Sequence, residues 1–95
     1  MTTEQLRQLN TIIDHYGAIH QKDKAIEEFS ELITELSRCQ QEPNEPYYTE
    51  NIIDELADVL VMCNQLMIIF DCFGEVEERI DFKINRQLKR MKSEV

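Results

Sequence analysis

The sequence has no tryptophan and only two glycines and two prolines, so it offers few positions where the chain can turn. An all-β domain needs clusters of turn-forming residues between short alternating runs, and this sequence has none. Basic residues are also few: 10 stand against 19 acidic residues, which gives a formal net charge of -9. Proteins bind DNA or RNA by neutralising phosphates, so a nucleic acid polymer is not expected as a partner.

The three cysteines are an odd number, which argues against a disulfide framework. The chain begins MTTEQLRQ, without a charged and then apolar leader. Its most apolar segment, residues 59–73, is interrupted by Asn64, Gln65 and Asp71 and is shorter than the about 20 apolar residues that span a bilayer. We therefore expect a cytoplasmic protein with reduced thiols and no membrane partner.

Ninety-five residues suit one domain, and a hydrophobic content of 42% in long runs predicts a packed core. Apolar residues spaced by three and four positions indicate helices. The predicted fold is therefore all-α, a single four-helix bundle that occupies residues 1–95. The four predicted helices cover about residues 3–16, 18–39, 49–73 and 75–91.

Capping and breaking residues set these boundaries. Thr2 or Thr3 can cap the first helix and Thr49 the third. Gly17 and Gly74 suit the left-handed residues that end those two helices. Both prolines fall within residues 41–48, which predicts a loop between the second and third helices.

The third helix is apolar over most of its circumference. Its wide apolar sector contains Ile52, Leu56, Val59, Leu60, Cys63 and Met67. In a domain this small, such a helix predicts a partner subunit that completes the core, in a homodimer or homotetramer.

Acidic residues recur at helical spacing on the second and third helices. Glu27, Glu28 and Glu31 read E-E-x-x-E, and Glu55 and Asp58 read E-x-x-D. Residues three apart share a helix face, so antiparallel packing would bring all but Glu27 into a small volume. Like charges this close need protons or a hard cation, and all-oxygen ligands favour Mg²⁺ or Mn²⁺. The alternative is that these acids form ordinary solvated helix faces.

Two segments carry a family resemblance: AIEEFSELITEL at residues 25–36 and, after the proline-containing loop, NIIDELADVLVM at residues 51–62. They resemble the all-α nucleoside triphosphate pyrophosphatase superfamily, which includes MazG, the dimeric dUTPases, the dCTP pyrophosphatases and phosphoribosyl-ATP pyrophosphohydrolase. The resemblance covers about residues 19–90. It implies an oligomeric, MazG-like bundle that cleaves a nucleoside triphosphate between the α and β phosphates, releasing a monophosphate and pyrophosphate in nucleotide-pool housecleaning.

The resemblance also implies roles for single acids. Glu28, Glu31, Glu55 and Asp58 become ligands of Mg²⁺, with Mn²⁺ as a substitute, and Glu27 or Glu28 orients or deprotonates the attacking water. The base and the sugar of the substrate stay open.

Further residues are candidates for substrate contacts. Lys83 and Arg86 on the fourth helix match basic residues that meet phosphates in MazG-like proteins, and their alternative role is to complement the helix dipole. Gln21 and Asn64 are candidates for binding base or sugar, and Asn64 can equally satisfy a neighbour in a buried interface. The alternative function is a non-catalytic helical bundle that oligomerises, or a nucleotide sensor.

Overall fold

The structure is a computed structural model that describes residues 1–44 and 46–94, and the side chain of Tyr47 lies outside this description, as does Glu45 of the predicted loop. It contains four helices: α1 (Thr3–Tyr16), α2 (Ala18–Gln41), α3 (Tyr47–Ile69) and α4 (Phe73–Ser93). No strand occurs among the described residues. The prediction of an all-α chain with four helices is confirmed.

The first helix begins and ends as its sequence predicts. The Thr2 side chain accepts a hydrogen bond from the Gln5 amide at 3.0 Å, and the Gln5 side chain accepts one from the Thr2 amide at 2.9 Å. This reciprocal capping box satisfies two amides that the first turn leaves free. At the other end Gly17 has φ 91° and ψ 152°, a conformation that is open almost only to glycine. The chain can therefore enter α2 immediately, at Ala18.

The end of α3 differs from the prediction. The helix stops at Ile69, and Asp71 rather than Gly74 takes the left-handed position, with φ 50°. The amide of Cys72 donates to the Met67 carbonyl at 3.0 Å and that of Asp71 to the Ile68 carbonyl at 3.2 Å. These two bonds satisfy carbonyls at the helix end, and aspartate tolerates the left-handed region better than most residues. Gly74 therefore lies in the first turn of α4.

The start of α3 also differs. The helix begins at Tyr47, two residues before the predicted cap Thr49. Pro46 precedes it with φ -67° and ψ -26°, values that already match a helix. The Thr49 amide donates to the Pro46 carbonyl at 3.3 Å, so a proline and not a threonine side chain opens this helix.

The bundle is built around α2 and α3, which form its largest contact. Side-chain bonds join the start of α2 to the end of α3 and the end of α2 to the start of α3, so the two helices run antiparallel. Helix α1 packs against both, and α4 contacts only α3 among the described residues. The buried apolar residues are few: Leu9, Ala25, Tyr48 and Met62.

The molecule is extended for its size. Its radius of gyration is 16.5 Å, against about 12 Å for a compact domain of this length. No residue of α4 is buried, and three apolar residues on the outer face of α3, Ile53, Leu56 and Leu60, are 45% to 59% exposed. In the part of the chain that the structure describes, no helix is long and apolar enough to span a membrane.

Candidate metal and phosphate site

A polar seam runs along the contact between α2 and α3. On α2 it consists of residues spaced alternately by three and four positions: Gln21, Lys24, Glu28, Glu31, Glu35 and Arg38. On α3 it consists of Asn51, Glu55, Asp58 and Gln65. This spacing keeps each set on one helix face, so the sequence pattern itself directs both sets towards the same contact.

Three carboxylates meet at the middle of the polar seam. Glu28 and Glu31 of α2 and Glu55 of α3 each offer an oxygen, and these oxygens lie within 4.8 Å of one another. We call these residues the acidic triad. The two acidic motifs thus converge as predicted for Glu28 and Glu31 of α2 and for Glu55 of α3.

Two oxygens of the acidic triad are buried without a partner. Glu28 is only 8% exposed, and neither its Oε2 atom nor the Oε2 atom of Glu55 has a hydrogen-bond partner. A buried, unpaired carboxylate oxygen is costly, because it has lost water and gained nothing in return. Both atoms therefore mark a position where a proton or a cation would be stabilised.

The electrostatics of the polar seam agree with this geometry. The pKa of Glu31 is raised, first by the negative charge of Glu28 and then by removal from water. Loss of water is the main cause that raises the pKa of Glu55 and of Asp58, and the charge of a neighbouring carboxylate adds to it in each case. Each of these three carboxyl groups is therefore harder to ionise here than it is in water.

Asp58 and Glu27 lie beside the acidic triad. The Asp58 carboxyl interacts with that of Glu28, but Asp58 is not one of the three residues whose oxygens meet. Glu27 is exposed, and its Oε2 atom lies 3.6 Å from the Lys24 ammonium. Of the two predicted candidates for activating water, only Glu28 has an oxygen inside the cluster.

Lys24 supplies positive charge at one end of the acidic triad. Its ammonium nitrogen lies 3.2 Å from Oε1 of Glu28 and 3.6 Å from Glu27. These acids raise the pKa of Lys24, chiefly through the hydrogen bond to Glu28. Further along α2 in the polar seam, a guanidinium nitrogen of Arg38 lies 3.1 Å from Oε1 of Glu35.

Gln21 pairs with another amide. Its Nε2 donates to Oε1 of Gln65 at 2.8 Å, and its Oε1 lies 2.7 Å from Nδ1 of His20. Because an amide oxygen only accepts, Nδ1 carries the proton in this contact. Gln21 and Gln65 are 4% and 2% exposed, so the pair satisfies two buried amides two helical turns from the acidic triad.

Asn64 lies away from the polar seam. Its Nδ2 donates to the Leu60 carbonyl of the same helix at 2.9 Å. It lines a cavity of about 300 Å³ between α1, α3 and α4, whose other walls are mostly apolar: Met1, Leu6, Met67, Phe73, Val76, Glu77 and Ile80. The structure therefore does not bring Asn64 and the acidic triad into one pocket.

The predicted phosphate contacts on α4 are also apart from the acidic triad. Lys83 and Arg86 belong to a helix that contacts α3 but not α2 within the described residues. The guanidinium of Arg86 lies over the Phe82 ring, 5.7 Å from its centre. Within one protomer neither side chain is placed at the site.

The donor set fits Mg²⁺ or Mn²⁺. The acidic triad offers carboxylate oxygens alone, and two of its oxygens are buried and free to ligate. Hard divalent cations prefer such ligands, whereas zinc sites are usually completed by nitrogen or sulfur. Glu28, Glu31 and Glu55 would hold the ion, with Asp58 next to them.

Sequence reasoning missed Lys24 and the partner of Gln21. The spacing of four residues between Lys24 and Glu28 is a usable signal, because such pairs are neighbours on a helix surface. No comparable signal identifies the bond between Gln21 and Gln65, which are 44 positions apart.

Comparisons of the chain with protein-family models, with curated proteins and with solved structures gave no match. Membership of the nucleoside triphosphate pyrophosphatase superfamily therefore stays a prediction that is based on the two acidic motifs. What the chain does has to be inferred from its own site.

Proposed function

We propose that the chain is a Mg²⁺-dependent hydrolase that cleaves a nucleoside triphosphate between its α and β phosphates, giving a nucleoside monophosphate and pyrophosphate. The observation that carries the proposal is the buried Oε2 atom of Glu28, which has no partner and belongs to a cluster of three carboxylates from two helices. A site of this kind suits a divalent cation, and Mg²⁺ in proteins commonly joins carboxylates to substrate phosphates.

The charge of the protein supports a role for the metal. The chain carries a formal net charge of -9, and its acidic triad by itself would repel a triphosphate. When bound, Mg²⁺ would neutralise phosphate oxygens and lower the pKa of a coordinated water. A negative protein and a negative substrate can then share one site.

The side chains of the site have two further roles, metal binding and proton transfer. Glu28, Glu31 and Glu55, with Asp58 beside them, would hold the metal, and a bound metal would help to align the α phosphate. Glu27 or Glu28 takes a proton from the water whose oxygen attacks that phosphorus. The bond from the α phosphorus to the bridging oxygen breaks, and its electron pair leaves with pyrophosphate.

A panel of ribonucleoside and deoxyribonucleoside triphosphates tests the proposal, with pyrophosphate release measured in Mg²⁺ and in EDTA. We expect turnover of at least one nucleotide that depends on Mg²⁺ and falls at least 100-fold in Glu31→Gln and in Asp58→Asn. Glu50→Gln is the matched control, because Glu50 is exposed and lies outside the polar seam. Turnover retained in either site variant would overturn the assignment, provided that circular dichroism shows the helices intact.

The second candidate is a non-catalytic bundle that oligomerises. The observation that favours it is the exposed apolar face of α3, formed by Ile53, Leu56 and Leu60. A nucleotide sensor is a variant of the same idea, with binding but slow hydrolysis. Mg²⁺-dependent thermal stabilisation by a triphosphate, with little pyrophosphate formed, would identify the sensor. If there is neither stabilisation nor turnover, the non-catalytic bundle is favoured.

We place this activity in the cytoplasm and assign it to nucleotide-pool housecleaning. The three cysteines, Cys39, Cys63 and Cys72, are free thiols, as is usual in a reducing compartment. The substrate's base is left to the nucleotide panel.

A further inference from the structure

The ammonium group of Lys24 is the positive charge nearest to the acidic triad. It lies 3.2 Å from Oε1 of Glu28. Within the described residues no other lysine or arginine forms an ion pair with Glu28, Glu31 or Glu55. Among the described residues, Lys24 is thus the one basic side chain in direct ion-pair contact with the acidic triad.

The pair formed by Lys24 and Glu28 differs from an ordinary surface ion pair. The Glu28 side chain is 10% exposed, whereas that of Lys24 is 43% exposed. Glu28 thus has Oε1 on the lysine and Oε2 free inside the cluster. Lys24 thus contacts the buried carboxylate while its own side chain remains accessible to solvent.

A lysine in this position can change partners. Its ammonium has three donors on a flexible stem, and Glu27, its second partner, is a 58% exposed side chain at 3.6 Å. A doubly or triply charged phosphate group is a stronger acceptor than an exposed carboxylate of single charge. Within the described residues Lys83 and Arg86 form no ion pair with the acidic triad, and their helix α4 does not contact α2.

We propose that Lys24 is a phosphate-binding residue of this site. Without a ligand it pairs with Glu27 and Glu28, and an oxygen of a pyrophosphoryl group replaces these carboxylates when the ligand binds. This inference depends on the proposed function, since it needs a metal-bound phosphate at the acidic triad. If the inference is right, Lys24 strengthens the binding of one ligand and weakens the binding of another. The positive charge attracts a metal-bound pyrophosphate and repels the bare metal ion.

Lys24→Gln separates these two effects. Isothermal titration measures the binding of Mn²⁺ alone and then of inorganic pyrophosphate complexed with Mg²⁺. We expect the variant to bind the pyrophosphate complex at least 10-fold more weakly than the unchanged protein, while its affinity for Mn²⁺ is equal or higher. Lys22→Gln is the matched control: it removes the same charge from the same helix, at a side chain that lies over the Phe70 ring, and should change neither affinity. Lys24→Arg keeps the charge and should restore most of the pyrophosphate affinity.

Three outcomes overturn the inference. If Lys24→Gln binds the pyrophosphate complex as tightly as the unchanged protein does, the lysine does not bind phosphate. Equal weakening of Mn²⁺ and of the complex would show that it only orients Glu28. The third outcome separates this inference from the proposed function: if the unchanged protein binds neither probe, the proposed function fails as well, whereas the first two outcomes leave it standing. Circular dichroism and thermal unfolding in EDTA exclude loss of the fold as the cause.

Discussion

At the scale of single residues, the carboxyl groups of the site make stability depend on pH. The pKa values of Glu31, Glu55 and Asp58 are raised in the folded chain above their ordinary values of about 4. The folded state then binds more protons than the unfolded state in this pH range, so stability falls as pH rises. We expect the midpoint of thermal unfolding, measured in EDTA, to decrease as the pH rises above the ordinary carboxyl pKa of about 4.

Removal of one of these charges tests the cause. Glu31→Gln should make the pH dependence shallower and raise the unfolding midpoint at pH 7 in EDTA, while Glu50→Gln should change neither. Saturating Mg²⁺ should flatten the dependence of the unchanged protein, because bound metal replaces the protons. A midpoint that rises with pH in EDTA would contradict the assignment of these three groups.

The buried bond between Gln21 and Gln65 predicts coupled effects of mutation. Gln21→Leu leaves Oε1 of Gln65 buried without its donor and should cost about 1–3 kcal/mol in free energy of unfolding. Changing both residues to leucine removes the unpaired group and should cost less than either single change. Urea unfolding of the two single variants and the double variant gives the coupling energy. A cost in the double variant equal to the sum of the single costs would show that the amides act independently.

The acids of the site were predictable from the sequence, but the amide pair beside them was not. The spacing of Glu28, Glu31 and Glu55 places each on one helix face, and antiparallel packing then brings them together. The bond from Gln21 to Gln65 depends on the register of α2 against α3, which no local pattern specifies. Asn64 illustrates the reverse error: its sequence position is close to Asp58, but six residues along a helix turn it to another face.

At the scale of elements, two glycines should respond to the same substitution with opposite signs. Gly17 has φ 91° and ψ 152°, so Gly17→Ala forces a side chain into a strained conformation and should cost about 1–3 kcal/mol. Gly74 lies in the first turn of α4, and an added Cβ there meets no atom within 4 Å. Gly74→Ala should therefore stabilise the protein by up to about 1 kcal/mol. Urea unfolding followed by circular dichroism measures both, and a loss of stability in Gly74→Ala would contradict this view of α4.

Helix existence was easier to predict from sequence than helix ends. The capping box at Thr2 and the glycine at position 17 are local signals, and the structure has both. The predicted end of α3 was wrong, because the prediction relied on glycine as the usual left-handed residue. In the structure Asp71 adopts that conformation, and Gly74 lies within α4. Packing of the whole chain, not local preference, decides between two such positions.

At the scale of the whole molecule, the described chain does not complete its own core. Only four apolar residues are buried, while α4 has no buried residue and the outer face of α3 remains exposed. A chain of 95 residues with so little buried apolar surface is expected to gain stability from a second copy. The apolar character of the third helix indicated this from the sequence, but not which of its residues would face outward.

The exposed face of α3 therefore predicts the mass of the particle in solution. We expect a dimer or tetramer of the 11.3 kDa chain by light scattering after size-exclusion chromatography. Leu60→Lys, at a residue that is 59% exposed, should yield the monomer, because it places a charge within an apolar contact. Ile26→Lys tests the rival surface, because Ile19, Ile26 and Ile33 form an apolar row on α2 that is 64% to 76% exposed; if α3 joins the copies, this variant should leave the assembly intact. A monomeric unchanged protein at all concentrations, or dissociation by Ile26→Lys alone, would show that α3 is not the surface that joins the copies.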